Sequence, residues 1–169
     1  MVTLGLDAST TCVGYAFTKD KKILDMGFID IKKEKTPKEK VEKVIEYLNK
    51  TSHIDDVYDI NVEDNLSGFA GGRTSQQVII KLAKFNAILC FMLENFDFTV
   101  HNINPMTARK NVFGKARIKG VKAKDFVKEE IEKRFKTKKW CKKTKTGLWD
   151  KRNIDMYDGL VMSLFEKKS

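Results

Sequence analysis

The first 31 residues restrict the fold more than any other part of the sequence, because they contain three strand-like segments joined by very short connections. The segments span 2–7, 13–18 and 23–31, and the polar KDKK at 19–22 is typical of a hairpin turn. Strands separated by so few residues pair in the antiparallel sense. The chain is therefore predicted to begin with three antiparallel strands.

The rest of the sequence alternates between helical and strand-like patterns, which predicts a mixed α/β sheet flanked by helices. Two further strands are expected at 57–63 and 98–103. The first predicted helix begins at Pro37. Four more are predicted at about 75–95, at 106–112, at 121–136 and at about 153–166. No internal repeat and no long linker divides the chain, so one domain over 1–169 is expected.

The composition indicates an intracellular globular protein. The 169 residues are 41% hydrophobic, which suffices for one core. The sequence has no run of 18 apolar residues, so no membrane span is predicted, and the N-terminus does not resemble a secretory leader. The three cysteines are far apart in sequence, which argues against a disulfide framework or a structural zinc site. These features together predict a location in the reducing cytoplasm.

The positive charge is concentrated in one section of the chain. Residues 109–151 contain 17 of the 33 Lys and Arg residues but only 5 of the 23 Asp and Glu residues. Such a concentration is typical of a surface that faces a polyanion. A lysine-rich face in contact with solvent alone has the same composition, so charge by itself leaves both interpretations open.

Four acidic side chains occupy positions that favour a joint role. Asp7 and Glu63 end the first and fourth strands, whereas Asp155 and Asp158 lie on one face of the last helix. Neighbouring carboxylates repel each other unless a metal ion, a lysine or a proton neutralises them. Carboxylates that converge from separate elements can bind two Mg²⁺ ions and so promote phosphodiester cleavage. Convergence requires the first and fourth strands to be neighbours in the sheet.

Three motifs resemble those of the RuvC family of Holliday-junction resolvases, within the RNase H-like nuclease superfamily. They are GLDASTTCVGYA after the start of the chain, VED at the fourth strand, and NIDMYDGLVMSL near the end. The motifs follow the family order and span the whole chain. The resemblance implies an RNase H-like five-stranded sheet with three antiparallel strands followed by two parallel ones. It also implies a dimeric endonuclease that nicks four-way DNA junctions symmetrically and leaves 5′-phosphates.

The same resemblance implies the catalytic residues. Asp7 would bridge two Mg²⁺ ions, Glu63 and Asp158 would hold one ion each, and Asp155 would complete the cluster. Mn²⁺ is a plausible substitute for Mg²⁺. Lys124 is the candidate for a catalytic lysine that stabilises charge on the transferring phosphate.

The residues implied to contact DNA lie in three parts of the chain. They are Ser9, Thr10, Phe69, Arg73, Lys110, Lys115, Arg117, Lys119, Lys122 and Lys124. Ser9, Thr10 and Gly14 could leave room for a backbone phosphate, or DASTT could be a tight turn with local side-chain caps. Phe69 is the candidate for the aromatic wedge that family members place after the second acid.

Two further segments carry expectations about partners. The helix at about 75–95 has two apolar stripes and matches the family's dimer helix, although a helix buried within one subunit has the same pattern. The basic segment 137–150 looks like an insertion relative to compact bacterial members. Its Trp140 and Trp149 could stack on bases, but anchoring to the core is the favoured interpretation.

Other functions fit parts of the sequence. A nuclease of the same fold could act on other branched or RNA-containing substrates. A non-catalytic nucleic-acid-binding module would be expected to have lost one of the four acids, and all four are present. The motif GLDASTTCVGYA also resembles the phosphate-binding hairpin of actin-like and sugar-kinase domains, which need a second phosphate loop and a longer chain.

Overall fold

A five-stranded mixed sheet forms the centre of the computed structural model, which describes residues 1–64 and 76–167. The first three strands are β1 (Val2–Ala8), β2 (Cys12–Lys19) and β3 (Lys22–Asp30), and they pair antiparallel in chain order. Asp20 and Lys21 form the turn between β2 and β3, where both have positive φ, as in a two-residue hairpin.

The last two strands extend the sheet on the other side of β1. Strand β4 (Val57–Glu63) pairs parallel to β1, and β5 (Thr99–Ile103) pairs parallel to β4. The strand order is therefore β3-β2-β1-β4-β5. The predicted mixed sheet, with three antiparallel strands followed by two parallel ones, is confirmed.

Helices cover both faces of this sheet within the described residues. They are α1 (Pro37–Leu48), α2 (Gln76–Glu94), α3 (Pro105–Phe113), α4 (Ala123–Arg134) and α5 (Asn153–Leu164). Each predicted start or end of a helix lies within two residues of the observed one; for α1 only the start was predicted. Thr36 and Glu39 form a capping box in front of α1, with Pro37 at the first helical position. A short 3₁₀ helix, Ile54–Asp56, was not predicted.

The two faces of the sheet differ in character because successive strand residues point in opposite directions. On the face toward α1 and α2, the strands contribute large apolar side chains such as Leu4, Leu6, Phe17 and Val62. On the face toward α5, the strands contribute small or polar residues, namely Gly5, Asp7, Gly14, Ala16, Asn61 and Glu63. The polar residues thus lie on the face that α5 covers.

Because Gly14 has no side chain, the backbone of α5 can lie directly against the backbone of β2. A Cβ atom at Gly14 would lie 1.8 Å from the carbonyl oxygen of Asp155, a distance that no side chain can occupy. The interpretation that Gly14 leaves room for a DNA phosphate is therefore wrong, because helix α5 fills that space. The glycine instead sets the position of the helix that carries two of the candidate acids.

Helix α2 is buried on one side and exposed on the other. Leu82, Phe85, Leu89 and Leu93 pack into the core, whereas Ile80, Lys84, Ala87 and Phe91 form an exposed, largely apolar stripe at helical spacing. The helix is also long and apolar enough to cross a membrane by length and composition alone, a property that core helices of soluble proteins share. Its buried face within this domain is that of a core helix.

Candidate active site

The strand-end acids Asp7 and Glu63 lie side by side. In the parallel pairing of β1 with β4, Leu6 is opposite Val62, so the next residue on each strand is an acid. Both acids point to the face that α5 covers, and each is only 7% exposed. The required condition, that the first and fourth strands be neighbours, is confirmed.

Helix α5 brings the other two acids to the same end of the sheet. Asp7 pairs with Gly14 across β1 and β2, and Gly14 lies against the backbone of Asp155. Asp158 follows one helical turn later and is buried. The carboxylates predicted from three separate motifs therefore occupy one region of the molecule.

The electrostatics of this region show that the four acids interact. Burial raises the pKa of Asp7 well above its ordinary value, and the charges of Glu63, Asp158 and Asp155 raise it further. Burial and the charge of Asp158 raise the pKa of Glu63 to about 8. Burial likewise raises the pKa of Asp158 against the opposing effect of Arg109. The four carboxyl groups therefore do not all ionise together in this buried region unless a cation compensates their charge.

Two basic side chains pair with the acids and compensate part of their negative charge. The Nζ of Lys124 lies 3.0 Å from Asp155 Oδ1, and the guanidinium of Arg109 lies 3.4 Å from Asp158 Oδ1. Burial by itself lowers the pKa of Lys124, but the carboxylates of Asp155, Asp158 and Asp7 together outweigh this effect and the pKa is raised. Lys124 thus stays protonated beside the acids.

Arg109 was missed in the sequence interpretation. It begins the basic section, but its side chain turns inward from α3 and is only 12% exposed. Its Nε is buried and donates to no residue that the structure describes. Its sequence context, between Ala108 and Lys110 at the start of the basic section, does not distinguish it from the other basic residues there.

The donor chemistry of the site fits a hard divalent cation. All four acids offer carboxylate oxygens, and Glu63 Oε2 is buried without a hydrogen-bond donor from the described residues. Within residues 1–64 and 76–167, however, no group of three or more His, Cys, Asp or Glu side chains is arranged so that it could already hold an ion. Asp155 and Asp158 are instead engaged with Lys124 and Arg109.

The small residues after Asp7 form a local turn. The Ser9 hydroxyl donates to the carbonyl of Cys12 at 2.7 Å and accepts from its N–H at 3.1 Å. The carbonyl of Thr10 accepts a hydrogen bond from Lys40 Nζ. These contacts support the interpretation of DASTT as a capped turn.

The other candidate DNA contacts differ in their surroundings. Lys110, Arg117, Lys119 and Lys122 are exposed around α3 and the start of α4. The Nζ of Lys115 lies 3.7 Å from Glu130 Oε1, so part of its charge is compensated. Phe69 and Arg73 lie outside the described residues.

Comparison with solved structures identifies the fold. A structure of Thermus thermophilus RuvC in complex with Holliday junction substrate matches with a TM-score of 0.62, covering 97% of this chain and 90% of that one, at 13% sequence identity. A second T. thermophilus RuvC structure matches with the same TM-score at 14% identity and covers 97% and 92% of the two chains. This chain has a RuvC-like fold. No family model and no curated protein sequence matches it, and at this identity the likeness concerns the fold alone.

Proposed function

We propose that the protein is a metal-dependent endonuclease that cleaves four-way DNA junctions and leaves 5′-phosphates. The observation that carries this proposal is the gathering of Asp7, Glu63, Asp155 and Asp158 at one end of a RuvC-like sheet. The basic section 109–151 contributes to this site, because Arg109 on α3 and Lys124 on α4 pair with two of the acids. The protein would act on DNA in the cytoplasm, in a nucleoid or on a viral genome.

The four acids would hold two Mg²⁺ ions, or Mn²⁺ in their place. When bound, such ions supply Lewis-acid activation of the phosphate and stabilise the attacking and leaving oxygens. Glu63 Oε2, buried without a donor among the described residues, is the oxygen best suited to become a ligand.

Two basic residues, Lys124 and Arg109, would assist the acids, one by contacting the phosphate and the other by positioning a carboxylate. Lys124 keeps its positive charge next to Asp155 and is exposed over 63% of its side chain, so it can reach a phosphate outside the carboxylate cluster. A preorganised cation at that position lowers the cost of negative charge that develops on the transferring phosphate. Arg109 positions the buried carboxylate of Asp158 through a direct ion pair.

A dimer would explain the exposed stripe of α2. Ile80 and Phe91 are 52% and 63% exposed, although both are large and apolar. Two copies that pair through this stripe around a twofold axis would bury it. They would also present two equivalent sites, which is what symmetric nicking of opposing junction strands requires.

Replacing Phe91 with aspartate is expected to abolish this dimer, because it replaces the most exposed large apolar side chain of α2 with a charge. Sedimentation should give about twice the 19.4 kDa chain mass for the unaltered protein and a single chain for Phe91→Asp. Tyr58→Asp, at a similarly exposed aromatic outside α2, is the matched control and should remain dimeric. A monomeric unaltered protein at micromolar concentration would contradict the dimer.

The substrate claim is tested by cleavage of a panel of labelled DNAs in Mg²⁺. The panel contains a four-way junction, a flap, a plain duplex, single-stranded DNA and an RNA–DNA hybrid, each with and without EDTA. We expect the junction to be cut at least about tenfold faster than plain duplex, with 5′-phosphate ends that a ligase can rejoin. Equal cutting of plain duplex would contradict junction selectivity, and preference for the hybrid would favour an RNA-directed nuclease.

A further inference from the structure

The segment 142–150 forms a small hairpin next to the start of α5. Lys143 and Trp149 form an antiparallel bridge, and Thr144 N–H donates to the carbonyl of Leu148 at 2.7 Å. Gly147 turns the tip with a φ of 80°, a conformation that favours glycine. The hairpin is the centre of the segment that looks inserted relative to compact family members.

The base of this hairpin is held rigidly. The side-chain amide of Asn153, the first residue of α5, donates to the carbonyl of Lys142 at 2.8 Å and accepts from its N–H at 2.9 Å. Arg152 contacts the carboxylate of Asp150 at 2.7 Å and also pairs with Asp30 on β3. An element fixed in this way loses little conformational entropy when it binds a partner.

The aromatic residues of the segment serve this anchoring. Trp149 packs against the core near Tyr157, with ring centroids 6.4 Å apart, and the Nζ of Lys128 lies 4.5 Å from its ring centre. Trp140 also packs against the core from a partly buried position. These contacts agree with the interpretation that both tryptophans anchor the segment to the core. The binding role of the hairpin therefore does not depend on base stacking by them.

The hairpin offers a cationic surface with one exposed apolar side chain near its tip. Residues 142–150 contain three lysines and one acid, Asp150, whose charge Arg152 already compensates. Lys143 and Lys145 are exposed, and Leu148, next to Gly147 at the tip, is 70% exposed. Lysines beside an exposed leucine are suited to a phosphate backbone and a groove edge.

The position of the hairpin favours nucleic acid as the partner. Arg152, at the hairpin base, pairs with Asp30, which lies opposite Cys12 at the end of the sheet where Asp7 pairs with Gly14. The hairpin base therefore lies at the same end of the sheet as the acid cluster. A phosphodiester that reaches those acids must bring its flanking backbone past neighbouring surfaces. The cationic hairpin is complementary to that backbone in charge.

We propose that hairpin 142–150 is a DNA-binding arm that holds a duplex next to the cleavage site. Lys143 and Lys145 contact backbone phosphates, and Leu148 lies against a groove edge. This inference rests on the proposed nuclease function for the location of the duplex. It assigns the inserted segment a role in substrate binding that is separate from the acids and from the lysines around α3 and α4.

The test measures junction binding by fluorescence anisotropy in EDTA, so that binding is read independently of cleavage. The double variant Lys143→Ala/Lys145→Ala is expected to bind about tenfold more weakly at about 100 mM salt, and the slope of log K against log salt should fall by about 1 to 2. The matched control is Lys19→Ala/Lys22→Ala on the β2–β3 hairpin, which lies at the opposite end of the sheet from Asp7. The control should bind as the unaltered protein does.

Leu148→Ser is a second variant that separates the apolar contact from charge. It should weaken junction binding about fivefold and leave the salt slope unchanged. Unchanged binding by both hairpin variants would overturn the proposal even if the protein cuts junctions. Loss of DNA binding in the lysine variant would support it even if no junction is cut. Unchanged DNA binding together with lost binding to anionic phospholipid vesicles would assign the hairpin to a membrane surface and overturn it.

Discussion

Replacing Asp7 with asparagine is expected to slow junction cleavage by about 10³-fold or more. Asp7 is buried at the centre of the acid cluster, and its pKa is raised by its burial and by the other three acids. Asparagine keeps the size of the side chain but removes the negative charge that binds a cation. The measurement is single-turnover cleavage of a four-way junction in saturating Mg²⁺.

The controls for this variant separate catalysis from folding and binding. Asp20→Asn, at the exposed β2–β3 turn, should cleave at the unaltered rate. Asp7→Asn should bind the junction at least as tightly as the unaltered protein, because the change removes a charge that repels phosphate. A cleavage rate within about twofold of the unaltered protein would rule out Asp7 as a catalytic residue.

Raising the pH in the absence of divalent ions is expected to destabilise the protein, and Mg²⁺ is expected to reverse the effect. The pKa of Glu63 is raised to about 8, and those of Asp7 and Asp158 are raised above their ordinary values. The folded state therefore holds protons that the unfolded chain has already released, so the free energy of unfolding falls as the pH rises. From about pH 5 to pH 8 the decrease should be on the order of a few kcal/mol.

Thermal unfolding in EDTA and in Mg²⁺ tests this linkage. The melting temperature in EDTA should fall between about pH 5 and pH 8, and the increase caused by Mg²⁺ should be larger at the higher pH, where the acids are ionised. The double variant Asp7→Asn/Glu63→Gln should have a flatter pH profile and a smaller response to Mg²⁺. A melting temperature in EDTA that rises across this range would contradict the raised pKa values.

The sheet could be predicted because its signals are local. Short turns join the first three strands, and the alternation of apolar residues along β1 and β4 fixes which residues face the core. The same alternation explains why an acid at the end of each strand points away from Leu6 and Val62. Once the two strands are neighbours, the meeting of Asp7 and Glu63 follows from the sequence.

Other parts of the site depend on tertiary contacts that leave no sequence pattern. From the sequence, Gly14 was interpreted as leaving space for a phosphate, but in the structure it contacts the backbone of α5. No local sequence signal tells which segment of backbone approaches a glycine. The inward turn of Arg109 depends on the position of Asp158, which is 49 residues away in the chain. The pairing of Lys124 with Asp155 was likewise visible only after α4 and α5 had been placed together.

The basic section illustrates the limit of composition. Charge alone could not separate a polyanion-binding surface from a solvated face. The structure divides the section into side chains that pair with acids, such as Lys124 and Lys115, and exposed ones, such as Lys119 and Lys145. Their different surroundings indicate different roles within one charged segment.

The most direct test of the account is anomalous diffraction from crystals of the unaltered protein soaked in Mn²⁺. We expect two manganese peaks at the end of β1, with Asp7 contacting both and Glu63, Asp155 and Asp158 completing the ligands after Lys124 and Arg109 have moved aside. Manganese bound without Asp7, or four carboxylates that keep their present partners in saturating Mn²⁺, would contradict the proposed catalytic centre.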